Sequence, residues 1–475
     1  MQAARLSMLV FSPLCSFVAL TACVREGFDL NRTVTVEADG GEPSKNDGNG
    51  RDVADVGHAQ DADDGPDTTG PDADVPSDEP RGVLDPDFGD GGIVHLQFSA
   101  SATERARDLI QDADDSLVVG LTYQFGSRAN LLLARLSPQG QLVSDFAAGG
   151  FAQSTASGLY NYGYGLARGE NDAIWFTGDG YFGSRQDDIY VLRFNADGSL
   201  DTSFAGSGAV PVHLGGEDTS FRIAAHPDGG AVVCGTANYT SVTKEFVLVR
   251  FRSDGTFESL FAQSGIFRFD PAFAPGTSCA NVIALADGTL VATGWIPGGL
   301  ALVHIANDGV LIPDFGEAMV GTSTLAGVGV TRALATDSDG SIYVGVGVNS
   351  NMGVLRYLSN GQRDPLFGED SIAEVDFGGG EAIGAIVMQP NHKILIGGTT
   401  SIDAAPRNLA FARLMPNGHL DPSYGDGGRV VLDILETDEE FAQMVLTSTG
   451  SVVAAGFGYP TPSSTTYKSF VVSFE

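Results

Sequence analysis

The stretch LDPDFGDGGIV at residues 84–94 returns, slightly altered, as LDPSYGDGGRV at residues 420–430. Related stretches lie between these two copies: LVSDF at 142, LDTSF at 200, FESLF at 257, LIPDF at 311 and RDPLF at 363. By subtraction of these positions, consecutive copies start 52 to 58 residues apart. One structural unit is therefore repeated seven times along the chain.

Each unit contains four strand signals. After the Leu-Asp loop, one unit continues through FRIAAH (221–226), AVVCG (231–235) and FVLVRF (246–251), which are rich in β-forming residues. Asp-Gly and Asn-Gly pairs such as Asp287-Gly288 separate such runs and are typical of tight hairpin turns, because both residues tolerate positive φ. This pattern predicts an all-β fold, a seven-bladed β-propeller of four-stranded antiparallel blades. An open β-solenoid is the alternative.

The two ends of the repeated region favour a closed ring. The first unit opens with a strand at residues 93–98 that has no earlier strands to pair with. The last unit ends with KSFVVSF and lacks the outer strand that would come next. We expect the N-terminal strand to pair with the C-terminal blade, which leaves no exposed sheet edge there and brings the two matching loops close together.

This repeat resembles the delta-60 repeat family, and the resemblance covers residues 84–475. It implies a bacterial repeat protein of the β-propeller type and indicates no particular activity. The predicted organisation is a signal segment at 1–22, a tether at 23–82 and one propeller at 83–475.

The first 22 residues have the layout of a secretory signal, with Arg5 in a short polar start followed by an apolar run. The end of this segment, Leu20-Thr21-Ala22-Cys23, resembles the bacterial lipobox. That resemblance implies a lipoprotein signal peptide and acyl chains such as palmitate on Cys23, which would anchor the chain in a membrane. The resemblance also implies a sorting rule in which Asp after the lipidated Cys retains a lipoprotein in the inner membrane, so Val24 favours the outer membrane, facing either the periplasm or the cell surface. An ordinary signal cut near Ala22 and a buried apolar strand are the alternatives.

Acidic residues dominate the composition, with 60 Asp and Glu against 26 Lys and Arg and a net charge of −34. This charge disfavours nucleic acids and anionic lipid headgroups as partners; it either keeps an exported protein soluble or collects divalent cations. The segment 31–80 is rich in Asp, Gly, Pro and Ser, so we expect residues 23–82 to be a disordered, self-repelling tether.

Two neighbouring positions of each unit fall on the strand that should line the central channel. The first carries polar candidates in four units, Asp108, Arg222, Asn281 and Gln443, and small residues in the others. They could bind a small polar ligand, or ordered water and each other, and the second interpretation is favoured. The second position is apolar in every unit and should pack between blades. Its residues are Leu109, Leu166, Ile223, Val282, Leu334, Ile386 and Met444.

No nucleophile elbow, phosphate loop or dinucleotide fingerprint occurs in a strand-then-helix setting, and the seven histidines form no metal-binding pair. We therefore assign no catalytic residue, no metal ligand and no cofactor, and we expect a monomeric binding or interaction scaffold rather than an enzyme. A glycan or an envelope protein is the candidate partner, recognised by the loops at 123–130, 181–188 and 296–300. A hydrolase or lyase acting on surface polysaccharide and a purely structural envelope component are the alternatives.

Arginine occupies one position of the fourth strand in five units, at Arg135, Arg193, Arg250, Arg356 and Arg413, and His304 takes that place once. Eight residues later stand Asp201, Glu258, Asp364 and Asp421 for four of these arginines. This spacing predicts an ion pair that braces each blade corner.

After removal of the signal and lipidation of Cys23, two cysteines remain, Cys234 and Cys279. Export would permit a disulfide, but the two lie on strands of different units. We expect two buried thiols.

Overall fold

The protein was analysed as a computed structural model that describes residues 82–126, 128–154, 161–181, 187–269, 276–316, 328–402 and 406–474. The signal segment, Cys23 and nearly all of the tether lie outside these residues, as does most of the 181–188 loop. The described part of the chain includes no helix that is both long and apolar enough to span a membrane.

The described residues form seven antiparallel sheets, here called blades 1 to 7. Blades 1 to 3 comprise, from the inner edge outward, Thr103–Gln111, Leu117–Phe125, Arg128–Leu136 and Phe151–Gln153 (β2–β5); Asn161–Arg168, Ile174–Tyr181, Asp187–Phe194 and Ala209–Val212 (β6–β9); and Thr219–Ala225, Ala231–Ala237, Glu245–Phe251 and Ile266–Phe269 (β10–β13). Blades 4 to 6 comprise Ser278–Ala284, Leu290–Ile296 and Gly299–Ile305 (β14–β16); Gly329–Thr336, Ile342–Val348, Asn351–Tyr357 and Ile372–Val375 (β17–β20); and Gly379–Met388, Ile394–Ile402, Asn408–Leu414 and Arg429–Leu432 (β21–β24). Blade 7 comprises Glu439–Leu446, Val452–Gly458 and Lys468–Phe474 (β25–β27), with Ile93–Leu96 (β1) as its outer strand.

The seven inner strands contact one another in a closed cycle. Starting from β2, each inner strand touches the inner strands of the two neighbouring blades, and β25 returns to β2. This arrangement is the predicted seven-bladed β-propeller. Blade 4 has three strands among the described residues. A single turn of 3-10 helix, Glu170–Asp172, interrupts the otherwise all-β chain that the structure describes.

The ring closes through the pairing of the two chain ends, as the sequence predicts. β1 pairs with β27, with Ile93 opposite Val472 and Leu96 opposite Ser469. The repeated stretch continues this seam, because the N–H of Asp85 donates to the carbonyl of Ser473 at 2.9 Å. The two matching loops are neighbours, since Leu84 and Tyr424 belong to one apolar cluster between blades 6 and 7.

A pair of equivalent glycines explains why the two copies of the loop have nearly the same sequence. Gly92 and Gly428 both have a φ of 95°, which side chains rarely adopt. A Cβ atom on Gly92 would lie 2.7 Å from Cβ of Leu84, and one on Gly428 would lie 2.9 Å from Cβ of Leu420. Each glycine therefore allows the loop to fold back onto the leucine that begins it.

The predicted apolar position is buried between blades in every unit. The exposed fraction of Leu109 is 2%, and the other six members of this position are also buried. They belong to apolar clusters that join each blade to its neighbour, such as the one around Leu109 in blade 1 that includes Val453 and Val471 of blade 7. The ring is therefore stabilised mainly by apolar contact between blades.

The expectation of two buried thiols is wrong, because Cys234 and Cys279 form a disulfide with a Cα–Cα distance of 5.6 Å. Cys234 lies on the second strand of blade 3 and Cys279 on the inner strand of blade 4. Adjacent blades pack face to face, so strands of different units approach closely here. The disulfide links two neighbouring blades covalently.

Candidate functional site

Every inner strand contains a β-bulge at the same place. In blade 1, Ala106 pairs with Leu121 and Asp108 pairs with Gly120, so Arg107 is an extra residue with no partner across the strand pair. The equivalent extra residues in blades 2, 3, 4, 6 and 7 are Tyr164, Phe221, Ala280, Gly384 and Ala442. In blade 5 the register jumps from Val330 to Leu334, and Arg332 lies within the jump. A bulge commonly redirects a side chain, and here it does so once in each blade.

Four of these bulge residues meet in the channel. The guanidinium carbon of Arg107 lies 5.9 Å from the centre of the Tyr164 ring, and that of Arg332 lies 5.8 Å from the same ring. Arg332 is also 5.0 Å from the centre of the Phe221 ring. Arg332 belongs to blade 5, whereas its aromatic partners belong to blades 2 and 3, so these contacts cross the centre of the ring.

Two groups of side chains extend this cluster on either side. On blade 7, Phe457 lies 5.7 Å from Arg107, and Tyr467 contacts Phe457 at 5.4 Å and Tyr459 at 4.1 Å between ring centres. Arg105 of blade 1 lies 4.4 Å from the Tyr467 ring.

On the side of blades 3 and 4, Phe221 lies 6.2 Å from Tyr239. Lys244 lies 5.6 Å from the Tyr239 ring and 5.3 Å from the Trp295 ring. We call the whole set, from Tyr459 to Trp295, the mouth cluster. The four bulge residues lie within inner strands, and Tyr239, Lys244, Tyr459 and Tyr467 lie between second and third strands, so the cluster runs from inside the channel to one of its ends.

The mouth cluster concentrates positive charge in a chain that is strongly acidic overall. Burial lowers the pKa of Arg107 to about 10, and the nearby charges of Arg105 and Arg332 act in the same direction. Burial also lowers the pKa of Arg105. Both groups stay charged at neutral pH. Cations that repel one another beside aromatic faces favour the entry of an anion.

One carboxylate accompanies these cations. Glu440 of blade 7 forms an ion pair with Arg407 at 2.5 Å. Burial raises the pKa of Glu440, whereas Arg407 and, more weakly, Arg107 act in the opposite direction. An acceptor is thus available in the mouth beside the donors.

The structure brings together two of the four polar residues predicted to line the channel. Nη1 of Arg222 lies 2.8 Å from Oδ2 of Asp108, and both side chains are buried. The same Asp108 oxygen accepts the N–H of Leu166 at 2.7 Å. Blade 2 lies between these partners and carries Gly165, where a Cβ atom would lie 3.0 Å from Cα of Arg222. This pair links blade 1 to blade 3.

The other two candidates remain apart from this pair. The amide nitrogen of Asn281 donates to the carbonyl of Arg332, and its oxygen accepts the N–H of Val282 at 2.7 Å. Gln443 accepts the N–H of Met444 at 3.0 Å. Both side-chain amides therefore form hydrogen bonds with backbone groups next to the bulges.

Sequence reasoning missed an acceptor that stands four residues before the predicted channel position in several units. Glu439 accepts the N–H groups of Ile434 and Leu435, both at 2.6 Å. Glu104 accepts that of Ser99 at 2.7 Å, and Asp218 accepts that of Leu214 at 2.6 Å. The recurrence of acidic residues at this spacing was the available signal. These carboxylates hold the loop that leads into each inner strand.

One such carboxylate belongs to a group that sequence reasoning also missed. Ligand atoms of Asp188, His213 and Asp218 lie within 4.8 Å of one another, which is close enough for a metal ion. However, Nδ1 of His213 already contacts Asp188 at 2.7 Å, and the second oxygen of Asp218 accepts the N–H of Asn238 at 3.0 Å. These bonds give the group a structural role, so we assign no metal there.

The end of the ring opposite the mouth carries the predicted corner arginines, which lie on the third strand of five blades, counted from the inner edge. Three of the predicted pairs are confirmed: Arg193 with Asp201 at 3.3 Å, Arg356 with Asp364 at 3.3 Å, and Arg413 with Asp421 at 2.7 Å.

The fourth predicted pair is wrong. Arg250 pairs with Asp228 at 2.6 Å, and Glu258 pairs with Arg252 at 2.8 Å. Asp228 lies in the hairpin turn between β10 and β11 of the same blade. From there its carboxylate reaches the guanidinium of Arg250 more directly than Glu258 does.

Comparison with known proteins agrees with this architecture. A family model described as "Domain of unknown function (DUF5122) beta-propeller" matches residues 176–204 and 389–424. The chain is a β-propeller repeat protein. Both matched segments of this propeller include a corner arginine and the following Leu-Asp loop. No curated protein matches the chain.

Solved structures show distant likeness only. A protein of unknown function from Dyadobacter fermentans is 10% identical, with a TM-score of 0.43, over 82% of this chain and 100% of its own. Prolyl oligopeptidase B from Galerina marginata is also 10% identical, with a TM-score of 0.43, over 76% of this chain and 47% of its own length. These values support no inference about activity or ligand.

Proposed function

We propose that this propeller is a binding scaffold of the cell envelope and that the mouth cluster binds an anionic ligand. The observation that carries the proposal is the Tyr164 ring, which has the guanidinium groups of Arg107 and Arg332 within 6 Å, one from blade 1 and one from blade 5. Guanidinium groups bind carboxylates and related anions through paired hydrogen bonds, and the neighbouring rings provide a flat apolar face.

The form of the channel supports a single site rather than seven equivalent ones. The bulge residues are large in blades 1, 2, 3 and 5 and small in blades 4, 6 and 7, where Ala280, Gly384 and Ala442 stand. Large side chains supply contacts from four blades, and small ones leave space at the other three. A site that differs from blade to blade suits recognition of one asymmetric ligand.

The proposed location is the bacterial outer membrane, with the chain held by lipid on Cys23. The lipobox-like ending at Cys23 supports the anchor, and the Cys234–Cys279 disulfide fits an oxidising compartment outside the cytoplasm. Metabolic labelling with a fatty acid should mark the natural chain and leave Cys23→Ala unlabelled. Equal labelling of the two would contradict the anchor.

The binding site is tested on residues Ser77–Glu475, the compact unit that contains every described strand and closes its own ring. A pyrene carrying several sulfonate groups is a suitable probe, because it joins negative charge to a flat aromatic face. We expect Arg107→Gln and Arg332→Gln each to weaken its binding at least tenfold.

Arg252→Gln is the matched control, because Arg252 is 46% exposed at the opposite end of the channel. It should bind the dye as the natural chain does. Equal binding by all three variants, or no binding by the natural chain, would overturn the anion site.

A further inference from the structure

We infer that the ligand of the mouth cluster is a linear acidic saccharide, a chain of sugars that carry carboxylates. This inference rests on the proposed anion site and adds the class of ligand. It follows from three features of the cluster: its length, the position of each cation between two rings, and the presence of an acceptor among the donors.

The cluster is long. Its contacts run without a break from Tyr459 through Arg107 and Arg332 to Trp295, and successive members lie 4.1 to 6.2 Å apart. The path includes residues of blades 7, 1, 5, 2, 3 and 4. A single small anion would engage only one step of this path. A ligand that uses all of it must be elongated.

Each of the three cations on the path stands between two aromatic rings. Arg107 stands between Phe457 and Tyr164, and Lys244 stands between Tyr239 and Trp295. A sugar ring presents a flat face of C–H groups that packs on an aromatic ring, and a carboxylate on the sugar places a charge at its edge. A chain of such sugars repeats both features at intervals, as the cluster does.

Single-stranded nucleic acid would also combine flat faces with negative charge. The acceptor in the mouth favours the saccharide. The backbone of single-stranded DNA has a charge at about every 3.4 Å and offers no hydroxyl donor to the carboxylate of Glu440. Glu440 and the tyrosine hydroxyls can instead bond to the hydroxyl groups that a saccharide offers along its whole length.

The two tryptophans provide a readout. Trp295 is 40% exposed at one end of the path, whereas Trp175 is fully buried. We would titrate Ser77–Glu475 with oligogalacturonate and follow tryptophan fluorescence and, in parallel, heat release. Trp295→Phe should remove the optical signal and keep most of the heat signal.

The comparison ligands isolate each part of the inference. Methyl-esterified oligogalacturonate has the same sugars without the charge, inorganic phosphate has charge without a face, and oligothymidylate has both on another polymer. We expect the acid form to bind at least tenfold more tightly than any of these. Arg107→Gln and Arg332→Gln should each remove that preference, and Arg252→Gln should keep it.

The outcomes separate the two proposals. If the sulfonated pyrene binds through Arg107 and Arg332 and oligogalacturonate does not, the saccharide is overturned and the anion site stands. Tighter binding of oligothymidylate, or equal binding of the esterified sugar, also overturns the saccharide. If neither the dye nor oligogalacturonate responds to the two arginine substitutions, both proposals are overturned.

Discussion

The two ends of the channel use their repeated positions in opposite ways. At the end with the corner arginines, the same residue type returns in five units, and in three of them it makes the same ion pair with the carboxylate eight residues on. At the mouth, the bulge position is equally regular in its backbone but carries Arg, Tyr, Phe, Ala or Gly. Where the same residue type recurs from blade to blade, the position stabilises the ring. Where only the backbone conformation recurs, the side chains can differ between blades and are available for recognition of a ligand.

The largest effect on stability should come from removing a corner arginine from its ion pair. Arg413 is 2% exposed and pairs with the buried Asp421, so Arg413→Gln removes the closest charge partner of this anion and leaves it beside Lys393, at 3.1 Å. We expect the free energy of unfolding of Ser77–Glu475 to fall by about 3 kcal/mol in urea titrations. The pair of Arg252 and Glu258 is exposed to solvent, so Arg252→Gln should leave the free energy of unfolding almost unchanged. Similar losses for both substitutions would remove the distinction between a structural corner and an ordinary surface ion pair.

A smaller, pH-dependent effect should come from the loop that leads into blade 7. Burial raises the pKa of Glu439 from its ordinary value of 4.5 to about 7. Between these two values the folded chain keeps a proton that the unfolded chain has released, so a rise in pH lowers stability, and the loss is complete above the folded pKa. Glu439→Gln cannot ionise, so it should gain on the order of 2 kcal/mol relative to the natural chain between pH 5 and pH 8.

Thermal unfolding of both chains across that range measures this difference. Both chains should bind the sulfonated pyrene alike, because Glu439 holds a loop through backbone N–H groups. Parallel stability curves for the two chains would show that Glu439 does not titrate in this window.

The smallest effect on stability should come from changing the ligand-facing position itself. Ala280→Tyr places at the bulge of blade 4 the residue that blade 2 carries there. Because the position opens towards the channel, we expect the free energy of unfolding to change by less than about 0.5 kcal/mol, while binding of the sulfonated pyrene changes measurably. A loss of 1 to 3 kcal/mol in urea would mean that Ala280 is packed and faces no open space.

The sequence predicts the ring because its signals are local and repeated. Gly92 and Gly428 each require a fixed backbone beside a leucine, and the apolar position at Leu109 recurs in every unit. Closure followed from the strand at 93–98 that lacked a partner. A backbone conformation with positive φ restricts the residue type, so it can be recognised in the sequence wherever it occurs.

The proposed binding surface was harder to predict, because a bulge adds one residue to the strand without requiring a particular residue type. Alternation alone placed the channel wall at Asp108 and Arg222, whereas the extra residues one position earlier, such as Arg107 and Tyr164, form the mouth cluster. Two arginines and two aromatic residues at that earlier position were visible in the sequence. Contacts between blades, such as Arg107 with Tyr164 or Cys234 with Cys279, depend on how the sheets pack and have no local signature.

The outer strand of blade 7 is made first and finds its partner last. During synthesis, β1 and its loop leave the ribosome almost a whole propeller before β27 does. Ring closure must therefore wait for the end of the chain, and the entropy of joining such distant segments makes it the slow step of folding. A circularly permuted chain in which β1 directly follows β27 would replace that search with a hairpin and should fold faster without changing the finished ring.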